Sequence, residues 1–507
     1  MVTCAANSHD ARQRPFDDGQ NRSVGKHARR HSLLHRELGA ALGVAGVVTA
    51  AAATGKWEVV AGIACGIMAL MIMIQYPRVH WLLFFGIMPA FFRQGDAGVS
   101  LFDAAMAGYL ALLLIGWWVY ALAARREDIV WERKDAFFLA VLLATVASSV
   151  VAVSRGADLL NWAREWALVA MGAFYFVFRS IFQRERDFRY YVFLLVVLSA
   201  SLAIWAVFNI RQQVFDAIYA YQIRGVKGVN AVYLIGFFLS VSLYLYRQRW
   251  WEQVLWAIVA SVIASGIVIS LTRTIWIGTA AALCVMVVLV PWKQRRRLVT
   301  ALVIVAAGFF ISAQVVLGPS FPVVMKLLAN RAISVKSGAK VASLIERRDE
   351  SLHLLNLLGR PEIATVGIGP ANEIVYYDSY LGTTVRSHFQ HNGLLGLLIK
   401  FGIPIGVCIY GFHLAMVLKS VRCYIRSRNT RWEPYVLPFT LSLIGTSVMD
   451  WTTNAFMIRS GMLFLAMLYA GVAIVDRLLR EDACSVGKAD SVSGALGNNH
   501  RVDSGRT

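Results

Sequence analysis

The sequence predicts an all-α polytopic membrane protein with about 12–14 transmembrane helices and one long external loop that contains amphipathic helices. Three observations carry this expectation. Of 507 residues 58% are hydrophobic and only 16% charged, with a mean hydropathy of +0.57. Apolar runs of helix-spanning character recur along nearly the whole chain, and basic residues gather in alternate connections between them. The formal charge of +20 is spread over those short loops, so it reports topology and argues against a nucleic-acid partner.

In chain order, residues 1–36 are polar and charged and are expected to form a disordered cytoplasmic tail. About eleven apolar segments follow over residues 37–317, at 38–54, 58–75, 80–92, 103–124, 136–153, 164–183, 189–209, 228–247, 252–271, 275–292 and 298–317. The third is short and interrupted by Pro89, the pattern of a re-entrant segment. Residues 318–392 form the one long connection, followed by C-terminal spans over residues 393–478, with runs at 393–419, 434–450 and 456–478. A second disordered tail is expected over 479–507. The basic loops "AARREDIVWERK", "RSIFQRERDFR", "KQRRR" and "KSVRCYIRSRNTR" are expected on the cytoplasmic side, which puts both termini there and residues 318–392 outside. No small-residue cleavage site follows the first apolar run, so no cleavable signal peptide is expected. Six cysteines are scattered without CxxC or Cys/His ligand spacing, and no Walker A or GxGxxG stretch occurs, so neither a metal nor another cofactor is expected.

Candidate site residues gather on the external side. "ISLTRT" puts Arg273 between two apolar stretches, where an arginine costs roughly 2.5–3.5 kcal/mol unless it reaches the interface or an anion. "RGVKGVN" places Arg224 and Lys227 among glycines just ahead of a span. In the long loop, Leu344, Ile345, Leu352, Leu355 and Leu358 space an amphipathic helix that also carries Arg347 and Arg348. The loop ends in "RSHFQHN", bringing Arg386, His388, His391 and Asn392 to the mouth of the next span, where free backbone N–H groups favour an anion. Each charge also has a plainer reading as a headgroup-facing or solvated side chain. Lys400 is the clearest ionisable residue well inside a span.

The stretch "HNGLLGLLIKFG", with His391, Asn392, Leu395 and Gly402, resembles the HNxxLxxxxxxG signature of the O-antigen ligase and polymerase superfamily, membrane proteins with a Wzy-type C-terminal region. "ISLTRT", from Ser270 to Arg273, resembles the same family's Ser-x-x-Arg element, and "RGVKGVN" is loosely similar to its Arg- and Gly-bearing loop. "ERRDESLHLLNLLGRPEIATVGIGP" is similar to the family's Arg-bearing external helix followed by a Gly-x-Gly turn. The matches run in order over about residues 220–410; the first two hundred residues show only generic spans, and "PEIATVGIG" departs from the family's proline-led turn.

The resemblance implies a GT-C-like glycosyltransferase of the bacterial inner membrane, multi-pass, with its active site facing the periplasm. It implies an undecaprenyl-diphosphate-linked glycan as donor and a hydroxyl as acceptor, on lipid A-core for a ligase or on a lipid-linked repeat for a polymerase. Membrane lipids surround it, and a chain-length regulator or a flippase is a further candidate partner. On this reading His391, Arg273 and Arg224 are catalytic, without a metal and with inversion. Asn392, Arg347, Arg348, Arg386, His388 and Lys227 are candidates for binding the diphosphate or the acceptor. The ligase reading is preferred to an O-antigen or exopolysaccharide polymerase. A secondary anion transporter, which would also place arginines and helix N-termini at a membrane opening, stays open as a different class.

Overall fold

The computed structural model describes residues 80–82, 84–85, 101–124, 132–216, 230–336, 342–388, 390–458 and 461–499. The expected first two spans, most of the third, the N-terminal tail, Arg224 and Lys227 lie outside them. The described chain is predominantly helical. Its helices are α1 (Leu101–Ala124), α2 (Arg133–Ala144), α3 (Ser148–Ser154), α4 (Leu159–Ala170), α5 (Phe174–Ile181), α6 (Glu185–Asp216), α7 (Asn230–Tyr246), α8 (Trp250–Ile269), α9 (Arg273–Leu289) and α10 (Trp292–Leu317). After these come α11 (Phe321–Lys336), α12 (Ala342–Leu358), α13 (Pro361–Val366), α14 (Gly393–Ser427), α15 (Glu433–Asp450) and α16 (Gly461–Asn499).

Six of the described helical stretches are long and apolar enough to cross a membrane: Arg133–Ser154, Glu185–Ile210, Trp250–Ile269, Trp292–Asn330, Gly393–Ser427 and Gly461–Cys484. Shorter apolar helices include Val232–Tyr246 and Arg273–Leu289. The chain has two compact units, and everything described below belongs to the larger, Phe85–Asp103 with Leu110–Asp482.

Within that unit α7 packs on α6, α8 and α15, while α9 packs on α15. Small residues make this close approach possible. A Cβ added to Gly278 of α9 would lie 2.8 Å from the Gly445 carbonyl oxygen of α15, and one on Gly445 would lie 3.0 Å from the Gly278 carbonyl oxygen. That seat fixes the height of α9, and with it the position of Arg273 at the helix start.

Residues 318–392 are more structured than the sequence reading expects. Between α13 and α14 the chain forms an antiparallel hairpin of β1 (Ile374–Asp378) and β2 (Thr383–Ser387), with Tyr376 opposite Val385. Gly382 closes its turn at φ 65°, a conformation that costs glycine little. Leu354, Ile363, Ile368, Ile374, Tyr376 and Ile399 form one buried apolar cluster, joining α12, α13 and the hairpin to the first turns of α14. The face α12 buries differs from the expected stripe: Leu352 and Leu355 are each 53% exposed, whereas Leu354 is fully buried and Glu350 is 2% exposed. Leu354 and Glu350 are four residues apart and share a face, so the helix turns a carboxylate inward together with its leucine.

Candidate functional site

The site is built around a broken helix. Helix α14 is interrupted at Gly402, whose backbone (φ 80°, ψ 163°) is non-helical and lies in a region open essentially to glycine alone. Pro404 follows and cannot donate a main-chain hydrogen bond. The break would strand carbonyls in an apolar setting, which is costly unless other donors meet them. They are met by the loop after α13: Ile368 N donates to Ile399 O at 2.7 Å and Gly369 N to Lys400 O at 3.0 Å. Gly367 and Gly369 adopt positive φ (75° and 81°) in that loop. Gly367 has no room for a side chain, since a Cβ would lie 2.6 Å from the Lys400 carbonyl oxygen. The glycines of "VGIGP" and "KFG" are thus one device: a short helix from Gly393 to Phe401 held in place by main-chain bonds.

Asn392 caps that short helix, its Oδ1 accepting from Leu395 N at 3.0 Å, a standard N-cap arrangement. The turn between α15 and α16 buttresses the first turn from the other side. Asp450 lies against Gly393, where any Cβ would collide with its carboxylate, and Asn454 lies likewise against Gly396. Asp450 Oδ1 accepts from Ala455 N at 2.8 Å, while Oδ2 is buried with no hydrogen-bond partner among the described residues. Thr453 Oγ1 donates to Thr274 Oγ1 at 3.1 Å, tying the same turn to the start of α9.

His391 stands one residue before this cap. Its Nδ1 lies 2.8 Å from Glu350 Oε2, and its backbone N–H donates to Glu350 Oε1 and Oε2 at 3.2 and 3.4 Å. Glu350 therefore reaches His391 three times from α12. Arg347 is one turn before Glu350 on the same helix, and close enough to Arg273 for the two guanidiniums to repel. Burial pushes Arg347 below its ordinary value, Glu346 and Glu350 push it back up, and Arg273 pushes it down again. Burial and the nearby Glu350 and Glu346 carboxylates raise the Tyr376 phenol well above its ordinary range. His391, Glu350 and Arg347 thus share one cluster, with Arg273 within electrostatic reach of Arg347.

Arg273 is the first residue of α9 and follows a turn in which Leu271 takes φ 52°, a left-handed conformation costly for leucine. Neighbouring hydrogen bonds hold that turn: Ser270 Oγ donates to Ile267 O at 2.7 Å and accepts from Thr272 N at 3.3 Å, and Trp276 Nε1 donates to Ile267 O at 3.0 Å. The serine of the Ser-x-x-Arg element shapes the turn that presents the arginine. Beside it an open apolar groove is lined by Val268, Trp276, Phe309, Phe310, Met325 and Leu328. Trp276 is three residues from Arg273 on α9, and Leu271 packs into the same apolar cluster as Phe309 and Leu328.

The other sequence candidates divide. Arg348 is exposed and pairs with its neighbour Asp349 at 2.9 Å. His388 and Arg386 belong to a second cluster: His388 lies 3.4 Å from Glu165 and 3.2 Å from Glu373, and Arg386 lies 4.0 Å from Glu373. Fully buried Lys400 joins that cluster, 3.2 Å from Glu165 and donating to Asn372 O at 2.8 Å. Glu165 also accepts from Ala371 N at 2.6 Å, so this ion pair pins the loop that braces the broken helix. Sequence reasoning missed Glu350, Glu165 and Asp450 as parts of these arrangements.

Among the described residues no group of three or more His, Cys, Asp or Glu side chains is placed to hold a metal ion. The arrangement offers a histidine whose Nδ1 is engaged by a carboxylate, two guanidiniums within electrostatic reach of each other and an apolar groove. A scan against protein-family models finds no match to the chain, and no curated protein matches it.

Proposed function

We propose that this chain is a membrane glycosyltransferase that moves a glycan from undecaprenyl diphosphate to an acceptor hydroxyl on the periplasmic face. The observation that carries the reading is the contact of His391 with Glu350 at the mouth of α14, with Arg347 one turn before Glu350 on α12 and Arg273 within electrostatic reach of Arg347. Guanidiniums within electrostatic reach repel each other, and a diphosphate offers enough oxygens to accept from both in bidentate fashion. The groove beside Arg273 suits the apolar part of such a donor. Arg224 and Lys227 belong to the same proposal on the strength of the sequence resemblance alone.

The chemistry follows from these groups. The acceptor oxygen attacks the anomeric carbon while its proton passes to Nε2 of His391. The bond from that carbon to the diphosphate breaks, and its electron pair leaves with the undecaprenyl diphosphate. Arg273 and Arg347 neutralise the charge that develops there. A single displacement inverts the anomeric centre.

Topology supports the sidedness. Helix α9 starts at the site with Arg273 and ends at Leu289, whose carbonyl accepts from Tyr424 OH at 2.9 Å and from Arg428 at 3.3 Å. The basic loops "KQRRR" and "RSRNTR" thus flank the opposite end of the bundle, the end that the positive-inside rule assigns to the cytoplasm.

We read the acceptor as lipid A-core, making the protein an O-antigen ligase. The test is deletion of the gene in its host with complementation by wild type and His391→Ala, resolving lipid-linked and surface glycans by size. Full-length polymer stranded on undecaprenyl diphosphate and rescued by wild type alone identifies a ligase, and accumulated single repeats identify a polymerase. An unchanged glycan profile removes the transferase reading in favour of anion transport.

A further inference from the structure

We propose that Glu350 is the positioning residue of a histidine–carboxylate dyad, holding His391 in the one tautomer and orientation that lets Nε2 take a proton from the acceptor hydroxyl. This rests on the transferase reading above and deepens it by naming what makes the histidine competent.

The argument starts from cost. Glu350 is 2% exposed, and a carboxylate taken out of water is destabilising unless hydrogen bonds and opposite charge compensate it. Its compensation comes largely from the residue it would serve. Both carboxylate oxygens face the His391 backbone N–H, and Oε2 faces ring Nδ1 at 2.8 Å. An ionised carboxylate only accepts, so Nδ1 carries the ring hydrogen in this contact, which makes Nε2 the lone-pair nitrogen of the neutral imidazole. The backbone contact matters as much as the ring contact. Anchoring the His391 amide and its ring to one carboxylate leaves the imidazole little freedom to swing away from the helix mouth.

Arg347, one turn before Glu350 on α12, adds a positive charge beside that carboxylate. When Nε2 takes the hydroxyl proton the ring becomes a cation, and Glu350 remains the anion beside it, so no second proton transfer is required. The carboxylate belongs to α12 and the histidine to the start of α14, so the dyad exists only while α12 is docked through Leu354 and Tyr376.

The test compares purified wild type, Glu350→Gln, His391→Ala and the double variant with a synthetic undecaprenyl-diphosphate oligosaccharide as donor. Glu350→Gln keeps size and shape, and monodisperse elution in detergent checks its fold; if it does not elute so, Glu350→Asp, which shortens the reach by one methylene, takes its place in every comparison. Expected is a fall in kcat of about 100-fold with donor KM changed by no more than about twofold, and no further loss when the change is added to His391→Ala. Retention of kcat within about threefold of wild type, or losses that multiply in the double variant, would overturn the proposal.

A second readout needs no substrate. Diethyl pyrocarbonate labels neutral imidazole nitrogen, and mass spectrometry follows His391 alone. A labelling rate at His391 that changes in Glu350→Gln relative to wild type supports the dyad, because the carboxylate holds the ring hydrogen on Nδ1 and leaves Nε2 as the reactive nitrogen, and equal rates overturn it. If the labelling difference holds while wild type transfers no glycan, the transferase reading fails and the dyad stands.

Discussion

Replacing Gly402 by alanine tests whether the break in α14 organises the site. At φ 80° and ψ 163° an alanine carries a backbone strain of about 1–3 kcal/mol. Its Cβ would collide with the Thr365 carbonyl oxygen and lie 2.7 Å from the Thr365 carbonyl carbon and 2.9 Å from Val366 N. These are main-chain atoms that cannot rotate aside, so overpacking adds about 1–3 kcal/mol. The total, about 2–6 kcal/mol, corresponds to a fall in apparent melting midpoint of at least about 4 °C at the ~2–4 °C per kcal/mol typical of domains of a few hundred residues. The assay is thermal unfolding in detergent followed by fluorescence-detected size exclusion, with transfer activity measured alongside. Gly411→Ala on the same helix is the control. A Cβ there meets nothing within 4 Å, and alanine is the better helix former by about 0.8–1 kcal/mol. Midpoints that agree within about 1 °C for Gly402→Ala and wild type would refute the claim that this glycine is structurally required.

Three further outcomes are expected. Arg273→Ala weakens binding of a fluorescent undecaprenyl diphosphate by about 10–100-fold, the worth of a charge-assisted hydrogen bond pair, whereas His391→Ala leaves that binding intact and cuts transfer to a low residual rate; equal binding by Arg273→Ala and wild type would remove the arginine from the donor site. Lys400→Met strands part of the Glu165 charge and lowers stability by about 3 kcal/mol, and adding Glu165→Gln recovers most of the loss in the same melting assay; a double variant as unstable as the single one would deny the pair. Acid should loosen the α12–hairpin segment. Burial and Arg360 hold His353 below its ordinary value of 6.5, and Ser379 holds Asp349 below its ordinary carboxylate value. Both groups therefore contribute stability that is present at neutral pH and lost as pH falls through their depressed values. Limited proteolysis within the hairpin should accelerate from pH 7 to pH 4, less so in His353→Gln, and a pH-independent rate would contradict this.

How much of this was legible depends on the kind of signal. The runs at 252–271 and 275–292 lie on α8 and α9 because long apolar stretches in lipid have little choice but helix. Asn392 reads as a cap from residue type and place. Gly402 was legible as a spaced glycine, but nothing local says that Ile368 and Gly369 will supply its missing donors. Glu350 stayed hidden because "ERRDES" looks solvated, and the leucines of α12 fit more than one rotation of the helix about its axis. Lys400 stood out as an ionisable residue inside a span, yet its partner Glu165 is on α4, far away in sequence. The hairpin has a local signal of its own: "IVYYD" and "TTVRS" are rich in β-branched and aromatic residues and are joined by a Gly-bearing turn.

The turn after α15 has a consequence for biosynthesis. Arg273, Glu350 and His391 emerge from the ribosome in that order, and all precede Asp450, Thr453 and Asn454. A chain halted before that turn would already hold His391, Arg273 and Arg347, but the first turn of α14 would lack the polar wall behind Gly393 and Gly396, and the start of α9 would lack its tie through Thr274. Competence would then come late in synthesis, so a truncated product would reach the membrane without an organised site.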